Sequence, residues 1–474
     1  MIRTGEEYRD SIRDGREVWI DGERVKDVTE HPAFKPAVDI RARIYDMALS
    51  YTDDTGERNS IAHKPPRTRQ DWADKRAAVD AVLDDVRGVV TRVGDETIGE
   101  MWSLYDGQDV LNEVDPRFAA NIRDHVEQSV HNDVFHVSAN TDPKGDRSKR
   151  PQDQDPDMLL HVVRETDGGI VVRGAKYETA AAYANQAFAK PTIANWGNDA
   201  LSDYAVGFIA RMGAPGMKYI CRSGFSGRSA LDYPLSTRVD EIDSLVIFDD
   251  VEIPWEDVLF YRHTRAAAFI RSTLHRYSAF PYTQRVLRLA DLLIGAALWN
   301  VRQTGLQHQQ AVQEKLAELA IYRESVNAHL TASIALAEPS PGGLLMPNQS
   351  LLYTGRVLAT RGLPGAMHIA RELCGGQICL TPDAASFDAA EPGAWLAKYY
   401  TVNEQWDASD RRKLLAFARD LLNSDYAGHR LTFQLFAQSP PFANMAAVYR
   451  SFDFDGPLDL VRSAASLSDK VIGS

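Results

Sequence analysis

The stretch DYPLSTRVDEIDSLVIFDDVEIPWEDVLFYRH, residues 232–263, is the most distinctive part of this sequence. Its centre, SLVIFDDVEIP, is rich in β-branched and aromatic residues that favour a strand. We expect Pro254 to close this strand, because proline cannot donate a hydrogen bond to a neighbouring strand. We expect Arg238 to pair with one of the acidic residues at positions 240–243 and so to hold two segments together.

The sequence upstream of this stretch is β-rich from about residue 134 onwards. DMLLHVVRETDGGIVVRGAKYETAAAY, residues 157–183, has two apolar runs around an Asp-Gly-Gly turn, which indicates a hairpin. YAVGFIARM and GMKYICRS continue the same character, with turn residues between them. The pattern predicts a β-sandwich or β-barrel domain over residues 134–265.

The part before this domain, residues 1–133, reads mainly as helices and loops. Within DWADKRAAVDAVLDDVRGVVTRV, residues 71–93, apolar residues recur at helical spacing, which predicts one buried face. The members of this face are Val79, Val82, Leu83, Val86 and Val90.

The part after the β-rich domain, residues 266–474, reads as a helical bundle with a tail. Four candidate helices lie at residues 285–307, 313–337, 352–376 and 410–436. Gly375-Gly376 and Gly428 are placed where helix C-caps or chain reversals are expected. The predicted fold class is therefore α+β, in the order helical domain, β domain and helical bundle.

The composition narrows the possible partners. The chain has 474 residues, with 53 Lys and Arg against 66 Asp and Glu, a formal net charge of −13. Such a charge argues against nucleic acid or an anionic membrane as a partner. The first residues are too charged for a secretory signal, and no long apolar run could cross a bilayer. The three cysteines cannot form a disulfide framework, which favours the cytoplasm.

The common short motifs for metals, nucleotides and serine hydrolases do not occur. The sequence contains no HExxH or CxxC metal motif, no GxGxxG or GxxxxGK[ST] phosphate loop and no GxSxG elbow. We therefore expect no metal site. If the chain uses a nucleotide cofactor, we expect it to bind outside a Rossmann or P-loop scaffold.

Several segments, in the same order along the chain, resemble the 4-hydroxyphenylacetate 3-monooxygenase oxygenase-component family of two-component aromatic hydroxylases. They lie at residues 5–34, 165–182, 231–262, 373–387 and 410–430. The resemblance spans roughly residues 5–455. It implies a fold similar to acyl-CoA dehydrogenases: a helical N-terminal domain, a middle β-barrel and a C-terminal four-helix bundle, in a homodimer or homotetramer.

The resemblance also implies an activity. In this family a separate flavin reductase supplies reduced FAD, and O2 then forms a flavin C4a-hydroperoxide that hydroxylates a phenol. The implied cofactors are thus FAD, as FADH2, and O2, and the implied substrate is a small aromatic or heteroaromatic molecule. The flavin carries the chemistry, while the protein orients the ring and excludes water.

The family's substrate-gripping histidine is expected in the loop after the first domain. In SANTDPKGDR the family pattern places Ser138 at that histidine, and His136, two residues earlier, is a candidate to replace it. A second family pattern, Gly-Arg-x-x-Asp-Tyr, is expected near MWSLYDG. It would put Ser103 at the arginine, while Tyr105 leaves the register open.

The flavin contacts are expected in four segments. The loop supplies Asp142, Pro143, Lys144 and Arg147; the hairpin supplies Thr179 and Ala180; the helix LHRYSAFPYTQR supplies His275, Tyr277 and Arg285; and the end of the bundle supplies His429 and Arg430. Of these, we assign His275 to the catalytic group, with Ser138, His136, Ser103 and Tyr105. Packing and surface charge are the alternative explanation for the residues of the helix.

The departures at the phenol-binding positions leave other readings open. Because the histidine has become Ser138, we expect 4-hydroxyphenylacetate itself to be a poor substrate. One alternative is a lyase of the 4-hydroxybutyryl-CoA dehydratase type, whose iron–sulfur cluster needs three Cys and one His. Cys221, Cys374 and Cys379 lack the placement found in those enzymes. Another alternative is a flavin-free, non-catalytic homologue.

Overall fold

A computed structural model describes residues 2–90, 96–193, 196, 199–436, 439 and 441–467. The helices are α1 (Gly5–Ser11), α2 (Lys35–Asp46), α3 (Arg69–Val86), α4 (Glu96–Tyr105), α5 (Gln108–Leu111), α6 (Pro116–Asn132), α7 (Ser236–Val239), α8 (Thr264–Thr273), α9 (His275–Gln303), α10 (Gln310–Ala335), α11 (Gln349–Cys374), α12 (Gln377–Leu380), α13 (Ala384–Asp388), α14 (Ala390–Tyr400), α15 (Ala408–Asn423), α16 (Asp425–Phe436), α17 (Pro441–Ser451) and α18 (Asp455–Ala464). The strands are β1 (Glu17–Ile20), β2 (Glu23–Val25), β3 (Ser50–Thr52), β4 (Arg58–Ser60), β5 (His136–Ala139), β6 (His161–Thr166), β7 (Gly169–Thr179), β8 (Gln186–Ala189), β9 (Gly207–Arg211), β10 (Met217–Cys221), β11 (Asp243–Pro254), β12 (Val258–Phe260), β13 (Glu338–Pro339) and β14 (Leu345–Met346).

Two sheets form the middle of the molecule. The larger sheet has the order β2-β1-β10-β11-β7-β6, and the smaller one has the order β12-β9-β8-β5. The predicted hairpin is confirmed as β6 and β7, whose strands pair down to Thr166 and Gly169. The predicted strand is confirmed as β11, which ends at Pro254. The β-rich character of this part is therefore as the sequence indicates.

The larger sheet also contains residues from the beginning of the chain. Strand β1 pairs in parallel with β10, with Glu17 opposite Lys218, and β2 forms the adjacent edge. The expected division at residues 133 and 134 misses this hairpin, because its partner strand lies far along the sequence. The N-terminal part is thus mainly helical. Of its strands, β1 and β2 belong to the larger sheet, and β3 and β4 form a separate pair.

The C-terminal bundle contains α9, α10, α11 and a last pair of helices, α15 and α16. The predicted helix over 410–436 is interrupted at Ser424, which has extended backbone angles and whose Oγ accepts a hydrogen bond from the N–H of Ala427. Gly375 has φ 73° and caps α11, as predicted. Gly428, which we expected at a cap, lies inside α16 instead, because the break falls at Ser424.

The expected role of Arg238 is wrong. Its guanidinium donates to the carbonyl of Arg87, whereas Arg222 pairs with Asp240 and Asp243 at 2.6 and 2.8 Å. Arg222 follows β10, the neighbour of β11 in the sheet, so it reaches these carboxylates across the strand pair. Sequence proximity therefore pointed to the wrong arginine.

The core positions α4 between the sheets and the bundle. One hydrophobic cluster joins Ile98 and Met101 of α4 with Val137 of β5 and with Leu352 and Ala359 of α11. A Cβ on Gly99 would lie 2.9 Å from the backbone nitrogen of Ser278, so α4 and α9 cross in close contact there. The helix predicted before residue 90 is confirmed as α3, whose apolar face is buried.

No helix among the described residues is both long and apolar enough to span a membrane.

Candidate active site

Three polar side chains meet where α4, β5 and the residue after β8 come together. Lys190 donates from Nζ to Oε2 of Glu100 and to Oγ of Ser138, both at 2.7 Å. The hydroxyl of Ser138 in turn donates to Glu100 through a short hydrogen bond. All three side chains are almost completely buried. We call Glu100, Ser138 and Lys190 the buried triad.

The electrostatics of this triad are those of a buried ion pair. Burial lowers the pKa of Lys190, and the adjacent Glu100 carboxylate opposes that shift by favouring the ammonium form. The ammonium also lies 4.1 Å from the centre of the Phe188 ring. Such a pair contributes little net stability, because taking both charges out of water costs about as much as their attraction returns. Its presence in a core therefore suits a functional site.

A second polar group continues from the triad towards the surface. Lys176 donates from Nζ to the carbonyl oxygen of Lys190 at 2.8 Å and pairs with Asp142. Asp142 also accepts a hydrogen bond from Thr192. The predicted site residue Asp142 is thus joined to the triad through Lys176. A continuous path of charged and hydroxyl groups leads from the loop to the core.

His136 shares strand β5 with Ser138 but takes part in another group of residues. Its ring lies 6.1 Å from the ring of His63, and neither of its ring nitrogens has a hydrogen-bond partner among the described residues. Burial, together with His63, His125 and Arg41, holds the pKa of His136 well below its usual value. His136 is therefore neutral, and its role as a replacement for a histidine at position 138 stays a prediction.

Ser103 and Tyr105 do not stand where the sequence pattern placed them. The hydroxyl of Ser103 donates to the carbonyls of Gly99 and Leu274, and so joins α4 to the start of α9. Tyr105 is partly buried and packs against the core. Glu100 is the residue of α4 that reaches Ser138. If the family pattern begins at Gly99, Glu100 stands at the arginine, three residues before the expected Ser103.

His275 lies close enough to the triad to interact with it electrostatically. Burial, followed by the charges of Arg356 and Lys190, holds the pKa of His275 well below its usual value. Its Nε2 atom lies 2.8 Å from Oγ of Ser439, and its Nδ1 atom lies 3.2 Å from Oγ of Ser278. Of the predicted residues, Ser138 is hydrogen-bonded to Lys190, while His275 is affected by Lys190 only through its charge.

Two other predicted residues, Thr179 and His429, contact the carboxylate of Asp243, which the sequence analysis did not include in the site. Thr179 of β7 donates to Oδ1 of Asp243 at 2.5 Å, and Nε2 of His429 lies 2.7 Å from its Oδ2. Burial alone would raise the pKa of Asp243, but His429, Arg222 and Thr179 bring it down to about 2. The Nδ1 atom of His429 is buried without a partner among the described residues. This cluster joins the larger sheet to α16.

The remaining predicted residues divide into an exposed loop and internal pairs. Pro143 is partly buried, while Lys144 and Arg147 are exposed on the loop after β5. Ala180 is buried with φ 68° directly after β7.

Tyr277, Arg285 and Arg430 belong to the internal pairs. The Tyr277 hydroxyl donates to Asp106 at 2.6 Å, and Arg285 pairs with Glu96 at 2.5 Å. Arg430 donates to the carbonyl of Val89 at 2.6 Å. The packing explanation therefore accounts for Tyr277 and Arg285.

Sequence reasoning missed Glu100, Lys190, Asp243 and Arg356. Glu100 directly follows Gly99, so placing the family pattern on that glycine would have found it. Arg356 stands at helical spacing between Leu352 and Ala359, a charged residue on an otherwise apolar face. Lys190 carries no comparable signal, because its role depends on the pairing of β5 with β8.

Comparison with known proteins identifies the family. Residues 4–260 match the family described as 4-hydroxyphenylacetate 3-hydroxylase N terminal, and residues 264–466 match its C-terminal counterpart. The chain belongs to the 4-hydroxyphenylacetate 3-hydroxylase family. The resemblance inferred from the sequence motifs is thereby confirmed.

Similar members of this family include components of an aromatic hydroxylase and of a biosynthetic system. The chain is 27% identical to the 4-hydroxyphenylacetate 3-monooxygenase oxygenase component of Thermus thermophilus, over 99% of both chains. It is 31% identical to the pyoverdin chromophore biosynthetic protein PvcC of Pseudomonas aeruginosa, over 91% of this chain and 88% of that protein. The match therefore extends over nearly the whole length of these proteins.

A solved structure of the family has the same architecture. The oxygenase component HpaB of 4-hydroxyphenylacetate 3-monooxygenase, complexed with FAD and 4-hydroxyphenylacetate, superposes with a TM-score of 0.90. The two chains are 26% identical, and the match covers 98% of each. The predicted fold class and the prediction of an oxidoreductase of the monooxygenase type are confirmed.

The described residues of this 4-hydroxyphenylacetate 3-hydroxylase family chain fit an anionic flavin nucleotide. Lys144 and Arg147 are exposed cations on the loop that leads to the buried triad. Deeper in the protein, Nδ1 of His429 is buried without a hydrogen-bond partner among the described residues. Buried polar atoms are normally satisfied, so this nitrogen is available to a bound group.

Proposed function

We propose that this chain is the oxygenase component of a two-component monooxygenase, which takes reduced FAD from a separate flavin reductase and hydroxylates an aromatic or heteroaromatic small molecule. The observation that carries the proposal is the buried triad of Glu100, Ser138 and Lys190. It places a charged, water-excluding site within a fold shared over its full length with an FAD-binding hydroxylase. Burying an ion pair costs desolvation free energy, and such buried charges are commonly found at functional sites.

The cofactors are FAD, in its reduced form, and O2. Bound reduced FAD supplies the electrons that activate O2, so that one oxygen atom reaches the aromatic ring. Arg147 and Lys144 would hold the phosphate groups, because they are exposed cations on one loop. Thr179 and His429, which already share Asp243, would contact the rest of the cofactor. The protein's own contribution is binding, orientation and exclusion of water.

The triad would orient the substrate. Oγ of Ser138 accepts a hydrogen bond from Lys190 and donates one to Glu100. A substrate hydroxyl that replaced the Ser138 hydroxyl in this second hydrogen bond would donate to Glu100. A carboxylate here withdraws the proton of a phenol instead of stabilising a phenolate as an arginine does. The preferred substrate is therefore an aromatic molecule other than 4-hydroxyphenylacetate.

The alternative of an iron–sulfur lyase finds no support in the placement of the cysteines. Cys221 lies in the larger sheet, where its Sγ is 3.2 Å from the hydroxyl of Ser244. Cys374 ends α11 and Cys379 lies on α12, both in the bundle region. A cluster needs three thiolates around one centre.

We also propose that the protein forms a homodimer or homotetramer. Helices α14 and α18 have no buried residues, although each carries large apolar side chains. Tyr399 and Leu460 are 68% and 70% exposed on these helices, and Tyr449 of α17 is 71% exposed. Apolar surface of this extent near the end of the chain fits contact with further copies.

The free thiols of the three cysteines are consistent with a cytoplasmic location.

Two measurements test the proposal. Anaerobic titration of the purified chain with photoreduced FAD should show binding, and addition of a flavin reductase, NADH and a panel of aromatic compounds should give products carrying oxygen from labelled O2. Glu100→Gln should lose turnover, while the surface variant Lys413→Gln should retain it. No binding at about 50 µM reduced FAD would support the flavin-free homologue instead.

A further inference from the structure

Arg356 is an unusual charge in the interior of this protein. Its side chain is 0% exposed. Its Nε, Nη1 and Nη2 atoms are all buried without a hydrogen-bond partner, and it is the one arginine in the described part of the chain for which this holds at all three nitrogens. A guanidinium carries five N–H donors, so the position is strongly unfavourable unless something accepts from them.

Other buried arginines of the bundle are satisfied by the protein itself. Arg285 pairs with Glu96 at 2.5 Å. Arg411 donates to the side-chain oxygens of Asn300, Gln303 and Gln377. The fold therefore supplies acceptors to a buried guanidinium where its role is structural, and it supplies none to Arg356.

Arg356 is held on the side of α11 that faces the buried triad. Leu352 and Ala359, one turn before it and one turn after it, belong to the same hydrophobic cluster as Met101 of α4 and Val137 of β5. Neighbours of Glu100, Ser138 and Arg356 thus belong to one core, and the charge of Glu100 acts on Arg356. The guanidinium is placed at the junction of the bundle with the triad.

The charges around Arg356 leave it uncompensated. Burial lowers its pKa to about 10, and Tyr353, Tyr282 and Glu100 oppose that shift. Glu100 is the carboxylate among these, and it is already bonded directly to Lys190. Glu100 therefore faces the charges of both Lys190 and Arg356 but forms no hydrogen bond with Arg356, whose guanidinium can still accept an incoming anion as its partner.

We propose that Arg356 is the oxyanion-binding residue of the substrate site and that it binds an anionic oxygen of the aromatic substrate. The inference rests on the proposed function for the identity of the ligand as an aromatic substrate. A phenolate and a carboxylate both supply such an oxygen, and both accept the paired N–H groups of a guanidinium. Arg356 thereby provides, from the bundle, the cation that α4 lacks at Glu100.

The surroundings suit an aromatic ring attached to that oxygen. Tyr353 and Tyr282 are buried near Arg356. The charges of Arg356 and Lys190 both lower the pKa of His275. His275 is neutral at physiological pH, because these cations and its burial disfavour its protonation. Its neutral ring can lie next to an aromatic substrate without adding a further charge.

Binding to the flavin-free protein tests the proposal independently of turnover. 4-Nitrophenol is a suitable probe, because its phenolate absorbs visible light and its neutral form does not. At a pH where free 4-nitrophenol is mostly neutral, the wild-type protein should increase the phenolate absorption on binding. Benzoate, compared with neutral benzamide in a thermal-shift titration, tests the carboxylate arm in the same way.

Arg356→Met should weaken the binding of the preferred anion at least about tenfold, since it removes a charge-assisted hydrogen bond. Arg361→Met is the matched control: Arg361 lies on the same helix, is exposed, and should bind like wild type. Arg356→Lys, which keeps the charge, should retain part of the affinity and serves if the methionine variant does not fold. The anion that loses affinity identifies the oxygen as phenolate or carboxylate.

Unchanged binding of both anions in the Arg356 variants would overturn the inference. So would a loss of affinity for reduced FAD with no change for the aromatic anions, because Arg356 would then belong to the cofactor. Failure of the proposed monooxygenase function would appear separately, as absence of reduced-FAD binding in the wild-type protein.

Discussion

The Nε2 atom of His429 lies 2.7 Å from Oδ2 of Asp243, and this contact fastens α16 of the bundle to β11 of the larger sheet. Thr179, at the end of β7, and Arg222, directly after β10, bind the same carboxylate from the two sides of β11. The cluster therefore holds α16 against the larger sheet. The proposed flavin site takes Thr179 from that sheet and His429 from α16.

Asp243→Asn should lower the free energy of unfolding at pH 7 by about 2 kcal/mol. The pKa of Asp243 is lowered from 3.8 to about 2 in the folded protein, so its contribution is fully present above pH 4. That contribution is lost as the pH falls through about 2. Urea unfolding at pH 7 and at pH 3 should show the gap narrowing. Asp250→Asn, which removes an exposed pair with Arg173, should cost less than about 1 kcal/mol at both values.

Lys190→Met should destabilise the protein by about 3–5 kcal/mol, because it leaves Glu100 as an unpaired buried charge. The double variant Glu100→Leu/Lys190→Met should recover most of this loss, since no charge then remains without a partner. Chemical unfolding of the two single variants and the double variant measures the coupling. Additive losses would show that the two side chains are independent of each other.

Arg147→Ala should weaken the binding of reduced FAD by about 1–3 kcal/mol, the value of a lost charge-assisted hydrogen bond. Arg150→Ala is a fitting control, because Arg150 lies on the same loop but pairs with Asp153. Anaerobic titration followed by absorbance gives both affinities. Equal affinities in the two variants would remove Arg147 from the cofactor site.

4-Hydroxyphenylacetate should be converted at least about 100-fold more slowly than a good substrate, because the family resemblance puts Ser138 at the histidine that polarises its phenol and the carboxylate of Glu100 lies next to Ser138. Ser138→His should not restore the rate while Glu100 remains opposite it. Product formation with a flavin reductase and NADH measures both proteins. Rapid stoichiometric conversion by the wild type would refute this prediction.

Tyr449→Asp should shift the protein towards smaller species in analytical ultracentrifugation, since Tyr449 is 71% exposed on the apolar helix α17. The far-UV circular dichroism should remain that of wild type, because little of this side chain is buried within the chain. An unchanged sedimentation coefficient would place the contact between copies elsewhere.

Local patterns predicted the local structure well. The hairpin of β6 and β7, the end of β11 at Pro254 and the buried face of α3 all depend on neighbours within a few residues. The site was predicted less well, because its members come together through long-range packing. The close crossing at Gly99 decides that Glu100, and not Ser103, reaches Ser138.

The choice between partners was also beyond the sequence. Arg238 is close to Asp240 in the chain and Arg222 is not, and the pairing of β10 with β11 brings Arg222 to the carboxylate. Arg356 illustrates the opposite case. Its position on an apolar helix face was visible in the sequence, but its lack of a partner emerges only from the packed structure.

The pairing of β1 with β10 has a consequence for how the chain is made. The ribosome releases residues 17–25 long before residues 217–221, so the first hairpin waits without its neighbour during most of synthesis. Until β10 emerges, one edge of β1 is an open template for other strands. Contacts between residues so far apart in the chain form slowly, so this edge of β1 is exposed to aggregation for as long as β10 is missing.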